Sequence, residues 1–233
     1  MSIRSVRIAT STLCPTLADT TRTAPILETV VTTINADGSV NCAAMGVEWG
    51  EHRIVIKPYR GTRTLRNLHA TGAAVVNVTD DILLFSQAAL GDPHPPTRPA
   101  ASIDGAILDD ACSWREVRVE AIDESARRAR VDTVVVGGGT GREFLGLNRA
   151  RHAVLEASIL ASRARMLPAE EIAAELRRLQ VLVDKTAGPR EREAMEYVAS
   201  QLRAVIGDSF ERRDAACRSQ ISSHPPGPEA PRR

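Results

Sequence analysis

The feature that most constrains the fold is a pair of β-branched segments joined by a short Asp-Gly turn. The segments are residues 26–35 and 39–47, and Ala-Asp-Gly lies between them at residues 36–38. An Asp-Gly pair in this position is a strong signal for a β-hairpin. Further segments rich in Val and Ile follow at residues 53–59, 73–78, 114–123 and 128–136. The sequence therefore predicts six strands that begin with an antiparallel hairpin.

Helical signals are sparse in the same part of the chain. Leu65 and Leu68 have helical spacing, with Thr62 or Thr64 as the capping residue, and residues 81–90 predict another short helix. A repeated parallel βαβ sheet would need longer crossover connections than these. The pattern therefore favours an antiparallel barrel.

The hydrophobic period changes at about residue 148, where helices replace strands. Ala153, Val154 and Ala157 fall on one helical face, Pro168 begins a second helix, and Gly188 with Pro189 separates it from a third. We therefore expect four zones in the chain. They are an N-terminal arm at residues 1–24, a barrel domain at 25–147, a three-helix appendage at 148–210 and a disordered, Pro-rich tail at 211–233.

Composition argues against several classes of protein. The chain has 2 Trp, 2 Tyr and 3 Phe and a net charge of +1, which disfavour a stacking platform or a general binding surface for nucleic acid. No apolar stretch approaches the roughly 18 residues of a membrane span. The four cysteines are widely spaced, and residues 1–15 lack the apolar core of a signal peptide. We therefore expect a cytoplasmic protein that binds neither nucleic acid nor membrane.

Two tempting motifs fail when their spacing is checked. The glycine run at residues 137–139 would need further glycines where Arg142 and Phe144 stand, so it is not a dinucleotide-binding loop. We interpret it as a flexible joint between barrel and helices. His152 and Glu156 lie four residues apart on a predicted helix, but without a third ligand a surface hydrogen bond explains them better than a metal does. No metal site is predicted.

The best candidate site follows the third predicted strand, where the sequence KPYRGTRT at residues 57–64 opens into a helix. Cations, hydroxyl groups and free backbone N–H groups at a helix start suit a phosphate monoester. The side chains concerned are Lys57, Arg60, Arg63, Thr62 and Thr64. A capped helix beside a solvated basic turn explains the same residues about equally well, so both interpretations remain open at this point.

The order of motifs along the chain resembles the FMN-binding split-barrel superfamily. The motifs are N-x-A-x-M-G-V at 41–47, I-x-I-K-P-Y at 54–59, T-x-T-L-x-N-L at 62–68 and V-V-N-V-T at 75–79. Within that superfamily, the chain is most similar to the uncharacterised flavoproteins called domain of unknown function 447. The similarity covers residues 26–206 and includes N-R-A at 148–150 and E-A-S-I-L-A-S-R at 156–163.

This resemblance implies a fold and a set of binding residues. The fold would be mainly β with α, a six-stranded antiparallel split β-barrel of the FMN-binding type with a C-terminal three-helix appendage. FMN would lie near the interface of a homodimer. By matching position, the phosphate ligands would be Lys57, Arg60, Thr62 and Thr64. The residues that contact the flavin ring or the ribityl chain would be Asn41, Met45, Tyr59 and Asn77.

The resemblance also implies a function. The expected activity is that of a flavin reductase-like, FMN-dependent oxidoreductase with a small-molecule substrate or an electron donor such as NAD(P)H. No catalytic side chain is implied, because the flavin itself carries hydride or electrons. The alternative is a non-catalytic accessory protein that binds a flavin, a phosphorylated ligand or a pterin. A third interpretation is a structural dimeric adaptor that acts through its helices.

Overall fold

The computed structural model describes residues 24–206, which form eight strands and five helices. The strands are β1 (Ile26–Ile34), β2 (Val40–Trp49), β3 (Arg53–Ile56), β4 (Ala73–Val78), β5 (Thr97–Pro99), β6 (Ala106–Leu108), β7 (Ser113–Asp123) and β8 (Arg130–Thr140). The helices are α1 (Arg63–Thr71), α2 (Ile82–Leu90), α3 (Arg149–Ser162), α4 (Ala169–Thr186) and α5 (Pro189–Ile206), with a short 3-10 turn at Ala164–Met166. The predicted tail, and the predicted arm up to residue 23, lie outside the described residues.

Six of the strands close into an antiparallel barrel in the order β1-β2-β3-β8-β7-β4. The predicted hairpin pairs Ile26 with Glu48 at one end and Ile34 with Val40 at the other. Gly38 has a φ of 82°, a left-handed conformation that favours glycine in this turn. The predicted six-stranded antiparallel barrel is therefore confirmed, and the two three-residue strands β5 and β6 form a separate small sheet that the sequence did not predict.

Helix α1 packs its apolar side into the interior of the barrel. Leu65 and Leu68 are buried in one cluster with side chains of β1, β2, β3, β4, β7 and β8, among them Val31, Ile54 and Val131. Thr62 caps the helix, because its side-chain oxygen accepts a hydrogen bond from the Leu65 N–H at 3.4 Å. This packing fixes the position of the first turn of α1.

The three helices predicted after residue 148 are present; α3 and α5 pack against α2, and α4 packs against α3 and α5. Their apolar residues share a core with α2 and with β1 and β2 residues; Phe85, Val154 and Val198 are members of this core, as are Val30 and Cys42. Helices and barrel are thus joined by continuous apolar packing, and their division into two domains stays a prediction from the sequence. No helix among residues 24–206 is long and apolar enough to cross a membrane.

The glycine run at residues 137–139 lies inside β8, so the predicted flexible joint is wrong. These glycines leave room for the neighbouring strand. A Cβ atom on Gly139 would lie 2.5 Å from the indole ring of Trp114, and one on Gly138 would lie 2.7 Å from the Trp114 carbonyl oxygen. Close approach of two strands, and not backbone flexibility, explains why glycine occurs here.

Charged side chains join the helices to the end of the barrel. Asp80, which follows β4, accepts hydrogen bonds from Arg142, from the Leu145 N–H at 3.2 Å and from Arg151 of α3 at 2.8 Å. The Nε atom of Arg151 donates in turn to Glu191 of α5 at 2.9 Å. We call these four side chains, Asp80, Arg142, Arg151 and Glu191, the junction network.

Candidate functional site

A cleft of about 570 Å³ opens where residues 41–46 of β2 lie beside the turn between β3 and α1. Its other walls come from the C-terminal half of α2, the loop between β7 and β8, and the end of α3 with the following 3-10 turn. The helical appendage therefore contributes to this site as well as the barrel. The volume lies within the range of small-molecule and cofactor sites, roughly 300–1,000 Å³.

Most of the residues predicted to bind a cofactor line this one cleft. They are Asn41 and Met45 from β2, Lys57 and Tyr59 from the turn after β3, and Thr62 and Thr64 from the start of α1. They come together because β2 and β3 are paired neighbours and α1 begins directly after the turn. The structure thus assembles side chains that are up to 23 positions apart, as the Asn41–Thr64 hydrogen bond shows.

Arg60 and Asn77 do not line the cleft. The Nε atom of Arg60 lies 3.7 Å from the Glu124 carboxylate, and its side chain is 60% exposed. Asn77 is fully buried, and its amide donates to the Val30 carbonyl at 3.1 Å and accepts from the Leu108 N–H at 3.0 Å. The polar groups of Asn77 therefore bind backbone of β1 and β6.

A tight turn exposes the start of α1 to the cleft. Gly61 has a φ of 77°, and the Thr62 hydroxyl donates to the Tyr59 carbonyl at 2.8 Å. The capped-helix interpretation is thus confirmed for Thr62. The first amides of any helix have no intrahelical acceptor, and those of Arg63 and Thr64 belong to residues that line the cleft. The cap and an anion site are therefore compatible in this turn.

A buried polar network holds the floor of the cleft. The Asn41 side-chain amide donates to Thr33 and to Thr64, both at 3.1 Å, and the Asn67 amide donates to Thr33 at 3.0 Å. Asn41 and Thr64 are only 6% and 3% exposed. Because these hydrogen bonds are buried, they restrict both side chains to one arrangement.

The cations of the β3–α1 turn have acidic partners. Lys57 forms an ion pair with Glu48, and Arg63 Nη1 lies 2.5 Å from the Asp92 carboxylate. Both pairs are substantially solvated, so they bring little stability and leave these cations able to contact a stronger anion.

The structure adds three cleft arginines that the sequence interpretation missed, Arg127 and Arg128 in the β7–β8 loop and Arg163 at the end of α3. Arg128 donates a hydrogen bond to the Tyr59 hydroxyl at 3.1 Å, and its guanidinium lies 4.4 Å from the centre of the Tyr59 ring. The hydrogen bond from Arg128 and the nearby positive charges lower the pKa of Tyr59 despite its partial burial. Nothing in the local sequence marks these arginines, because only tertiary structure brings them to Tyr59.

Two other titratable groups in the cleft have raised pKa values. Burial raises the pKa of the Cys42 thiol to about 11, so this thiol is protonated at neutral pH. Burial and the nearby Glu156 carboxylate raise the pKa of Glu28, although Arg128 and Arg163 act against them. Among the described residues, no three His, Cys, Asp or Glu side chains are grouped so as to hold a metal ion.

Comparison with known proteins places two adjacent family models on the chain. The model for the N-terminal domain of the protein of unknown function DUF447 matches residues 27–142, and a second DUF447 model matches residues 148–200. The FMN-bound protein MM1853 of Methanosarcina mazei, whose crystal structure is known, is 22% identical with a TM-score of 0.68. The match covers 76% of this chain and 95% of that chain. This likeness confirms the predicted split-barrel fold with its helices.

Two more distant structural matches have names that refer to flavin. The flavoredoxin of Desulfovibrio vulgaris is 14% identical with a TM-score of 0.42, covering 56% of this chain and 78% of that one. The styrene monooxygenase flavin reductase of Pseudomonas putida is 15% identical with a TM-score of 0.41, covering 48% of this chain and 79% of that one.

Proposed function

The chain belongs to the DUF447 family, and from that premise we propose that it is a flavoprotein that binds FMN in the cleft between β2, α1 and α3. A member of the same family, the Methanosarcina mazei protein, is known in an FMN-bound form. The observation that carries the proposal is the cleft itself. It combines a helix N-terminus, cations and a buried polar floor with an adjacent stretch of β2 backbone.

The residues of the cleft fit the chemical parts of FMN. The terminal phosphate is a dianion, and it suits the first turn of α1 with Lys57, Thr62, Arg63 and Thr64 around it. The flavin ring is flat and largely apolar, and it suits a wall of β2 backbone with the Met45 side chain. The low aromatic content of the chain is consistent with such a wall of backbone and aliphatic atoms.

We assign the other predicted residues according to their positions. Asn41 holds Thr64 in place through its 3.1 Å hydrogen bond, and the Tyr59 hydroxyl is bonded to Arg128 in the arginine-rich part of the cleft lining. Arg60 and Asn77 are left out of the proposed FMN site, because neither lines the cleft and Asn77 is buried against backbone.

Bound FMN would supply hydride or electron transfer, and the protein would bind and orient it. The Cys42 thiol stays protonated and therefore supplies no nucleophile at neutral pH. We propose that the reaction is an oxidoreduction with a small-molecule substrate and a donor such as NAD(P)H. Location in the cytoplasm stays a prediction from the sequence.

We also propose that the chain acts as a homodimer. The segment before α3 exposes Phe144, Leu145 and Leu147, of which 50%, 71% and 88% are accessible to solvent. Three large apolar side chains within four residues are a feature of interaction surfaces more than of a free surface. Sedimentation equilibrium of the purified protein measures the oligomeric state, and a monomer at micromolar concentration would contradict this proposal.

Titration of the apo-protein with FMN and, separately, with riboflavin tests the cofactor assignment. We expect FMN to bind at micromolar concentration or below and to bind more tightly than riboflavin, which lacks the phosphate. Lys57→Ala should weaken FMN binding roughly 10-fold, as expected for the loss of one charge-assisted hydrogen bond, and should leave riboflavin binding unchanged.

Arg53→Ala is the matched control, because Arg53 is an exposed cation at the start of β3, the strand that directly precedes Lys57, and it pairs with Glu120 outside the cleft. It should not change either affinity. If the protein does not bind FMN at micromolar concentration, the proposal is wrong. Oxidation of NADH or NADPH with and without FMN then separates an oxidoreductase from a non-catalytic binding protein, since only the former has a flavin-stimulated rate.

A further inference from the structure

The cleft contains more positive charge than one phosphate group requires. Arg127, Arg128 and Arg163 line it in addition to the cations of the β3–α1 turn. Across residues 24–206, no acidic side chain forms an ion pair with any of these three arginines. Lys57 and Arg63, by contrast, each have a carboxylate partner. The three arginines are therefore a separate group that FMN does not account for.

Two of the three guanidinium groups pack on one side chain, Tyr59, and the third lines the same cleft. Arg128 donates to the Tyr59 hydroxyl at 3.1 Å, and the guanidinium groups of Arg128 and Arg127 lie 4.4 Å and 5.7 Å from the centre of the Tyr59 ring. Arg163 comes from a different element, the end of α3, and lines the same cleft as Tyr59, Arg127 and Arg128. Residues far apart in sequence thus form one cationic cluster.

Backbone hydrogen bonds fix the loop that carries two of these arginines. The Ala129 N–H donates to the Pro58 carbonyl at 2.9 Å, and the Arg60 N–H donates to the Arg127 carbonyl at 3.3 Å. Tyr59 and Arg128 also form an isolated antiparallel bridge. These hydrogen bonds attach the β7–β8 loop to the β3–α1 turn. They therefore fix the position of Arg127 and Arg128 relative to the start of α1.

Like charges held together without an anion repel one another, and among the described residues that line the cleft the half-buried Glu28 is the only acidic one. A single carboxylate would not balance three guanidinium groups, whereas a phosphate or diphosphate would, and the planar arginine fork matches its oxygen atoms. We propose that Arg127, Arg128, Arg163 and Tyr59 form a second anion site, which binds a phosphate or diphosphate group of the molecule that exchanges electrons with FMN. This inference rests on the proposed function, and it names the class of the second substrate.

The test uses inorganic pyrophosphate as the probe and isothermal titration calorimetry at low salt. With the protein saturated by FMN, we expect one pyrophosphate site per chain. The double variant Arg127→Ala/Arg163→Ala should weaken pyrophosphate binding by at least about 10-fold and change FMN affinity by less than about twofold. Both side chains are exposed, so the variant is expected to fold.

The control variant Arg53→Ala/Arg178→Ala removes the same number of charges from exposed positions, 66% and 81% accessible, that do not line the cleft. It should leave pyrophosphate binding unchanged. If FMN fails to bind at all, the proposed function is wrong. If FMN binds but pyrophosphate does not, or if both double variants behave alike, the second site is wrong. If the Arg127/Arg163 variant loses FMN affinity but keeps riboflavin affinity, these arginines bind the FMN phosphate and the inference is overturned.

Steady-state oxidation assays identify the source of the phosphate group. If the second substrate is a nicotinamide dinucleotide, the Arg127→Ala/Arg163→Ala variant should raise the KM for NADPH at least about 10-fold. The KM for a reduced N-benzylnicotinamide, which has no phosphate, should then be unchanged. If pyrophosphate binding is weakened while the KM for NADPH is unchanged, the site serves another phosphorylated substrate.

Discussion

Replacing Asp80 by Asn tests whether the junction network fastens the helices to the barrel. The Asp80 side chain is only 4% exposed and accepts hydrogen bonds from Arg142 and Arg151. Loss of one partner from a buried ion pair costs about 3–5 kcal/mol. The two arginines are 32% and 23% exposed, so water recovers part of that loss. We therefore expect the free energy of unfolding to fall by about 2–3 kcal/mol.

Urea unfolding followed by circular dichroism measures this change, and thermal unfolding should show a decrease of about 5–10 °C in Tm. Asp110→Asn is the control, because Asp110 lies 4.0 Å from the same Arg142 but is 78% exposed. It should change the unfolding free energy by less than about 0.5 kcal/mol. Equal effects of the two substitutions would refute the role assigned to Asp80.

The pH dependence gives an independent check on the same residue. Burial raises the pKa of Asp80, but the hydrogen bonds from Arg142 and Leu145 and the charges of both arginines outweigh it, so the pKa is lowered. Because the pKa is lowered, the ionised carboxylate stabilises the fold at pH values above the pKa of Asp in the unfolded chain, about 3.9. This stabilisation is lost as the pH falls through the pKa of Asp80 in the folded protein. The difference between wild type and Asp80→Asn should therefore shrink below about pH 4. A difference that is constant with pH would contradict the electrostatic explanation.

Three further predictions concern single side chains. Gly139→Ala should destabilise the fold by about 1–3 kcal/mol in urea unfolding, because the new Cβ would lie 2.5 Å from the Trp114 ring; an unchanged midpoint would contradict this. Glu28→Gln should raise Tm at pH 7, since the raised pKa of Glu28 makes its ionised form unfavourable, and the gain should vanish below about pH 4. Cys42 should resist iodoacetamide at pH 8, as peptide mass mapping would show, because the pKa of its thiol is about 11.

Local sequence signals were sufficient for the barrel strands and for α1. The Asp-Gly hairpin depends on residues adjacent in the chain, and the cap of α1 joins Thr62 to the N–H of Leu65, three residues later. The glycine run was misinterpreted because glycine inside a strand is explained only by its neighbour across the sheet, Trp114. The alternation of apolar and polar residues within β8 does not reveal that the Trp114 ring of β7 packs against these glycines.

The same reasoning explains the candidate site. The placement of Lys57, Thr62 and Thr64 in one cleft was predictable because strand, turn and helix start are consecutive in the sequence. Arg127 and Arg163 lie more than 60 positions further along, and arginine is common throughout the chain, so their presence in the same cleft as Tyr59 depends on the closed order of the barrel and the packing of α3. Asn77 looked equally suitable in sequence, but its strand position directs its amide to β1 backbone.

The packing of α1 inside the barrel makes the candidate site preorganised. Leu65 and Leu68 are held in the barrel interior, so the first turn of α1 cannot move without opening the core. An anion bound at this turn therefore meets amides already in position and avoids the cost of ordering a loop. The folded state alone presents those amides. Ligand binding should therefore protect the whole barrel cooperatively against hydrogen exchange through global unfolding, including the paired backbone amides of β1 and β4.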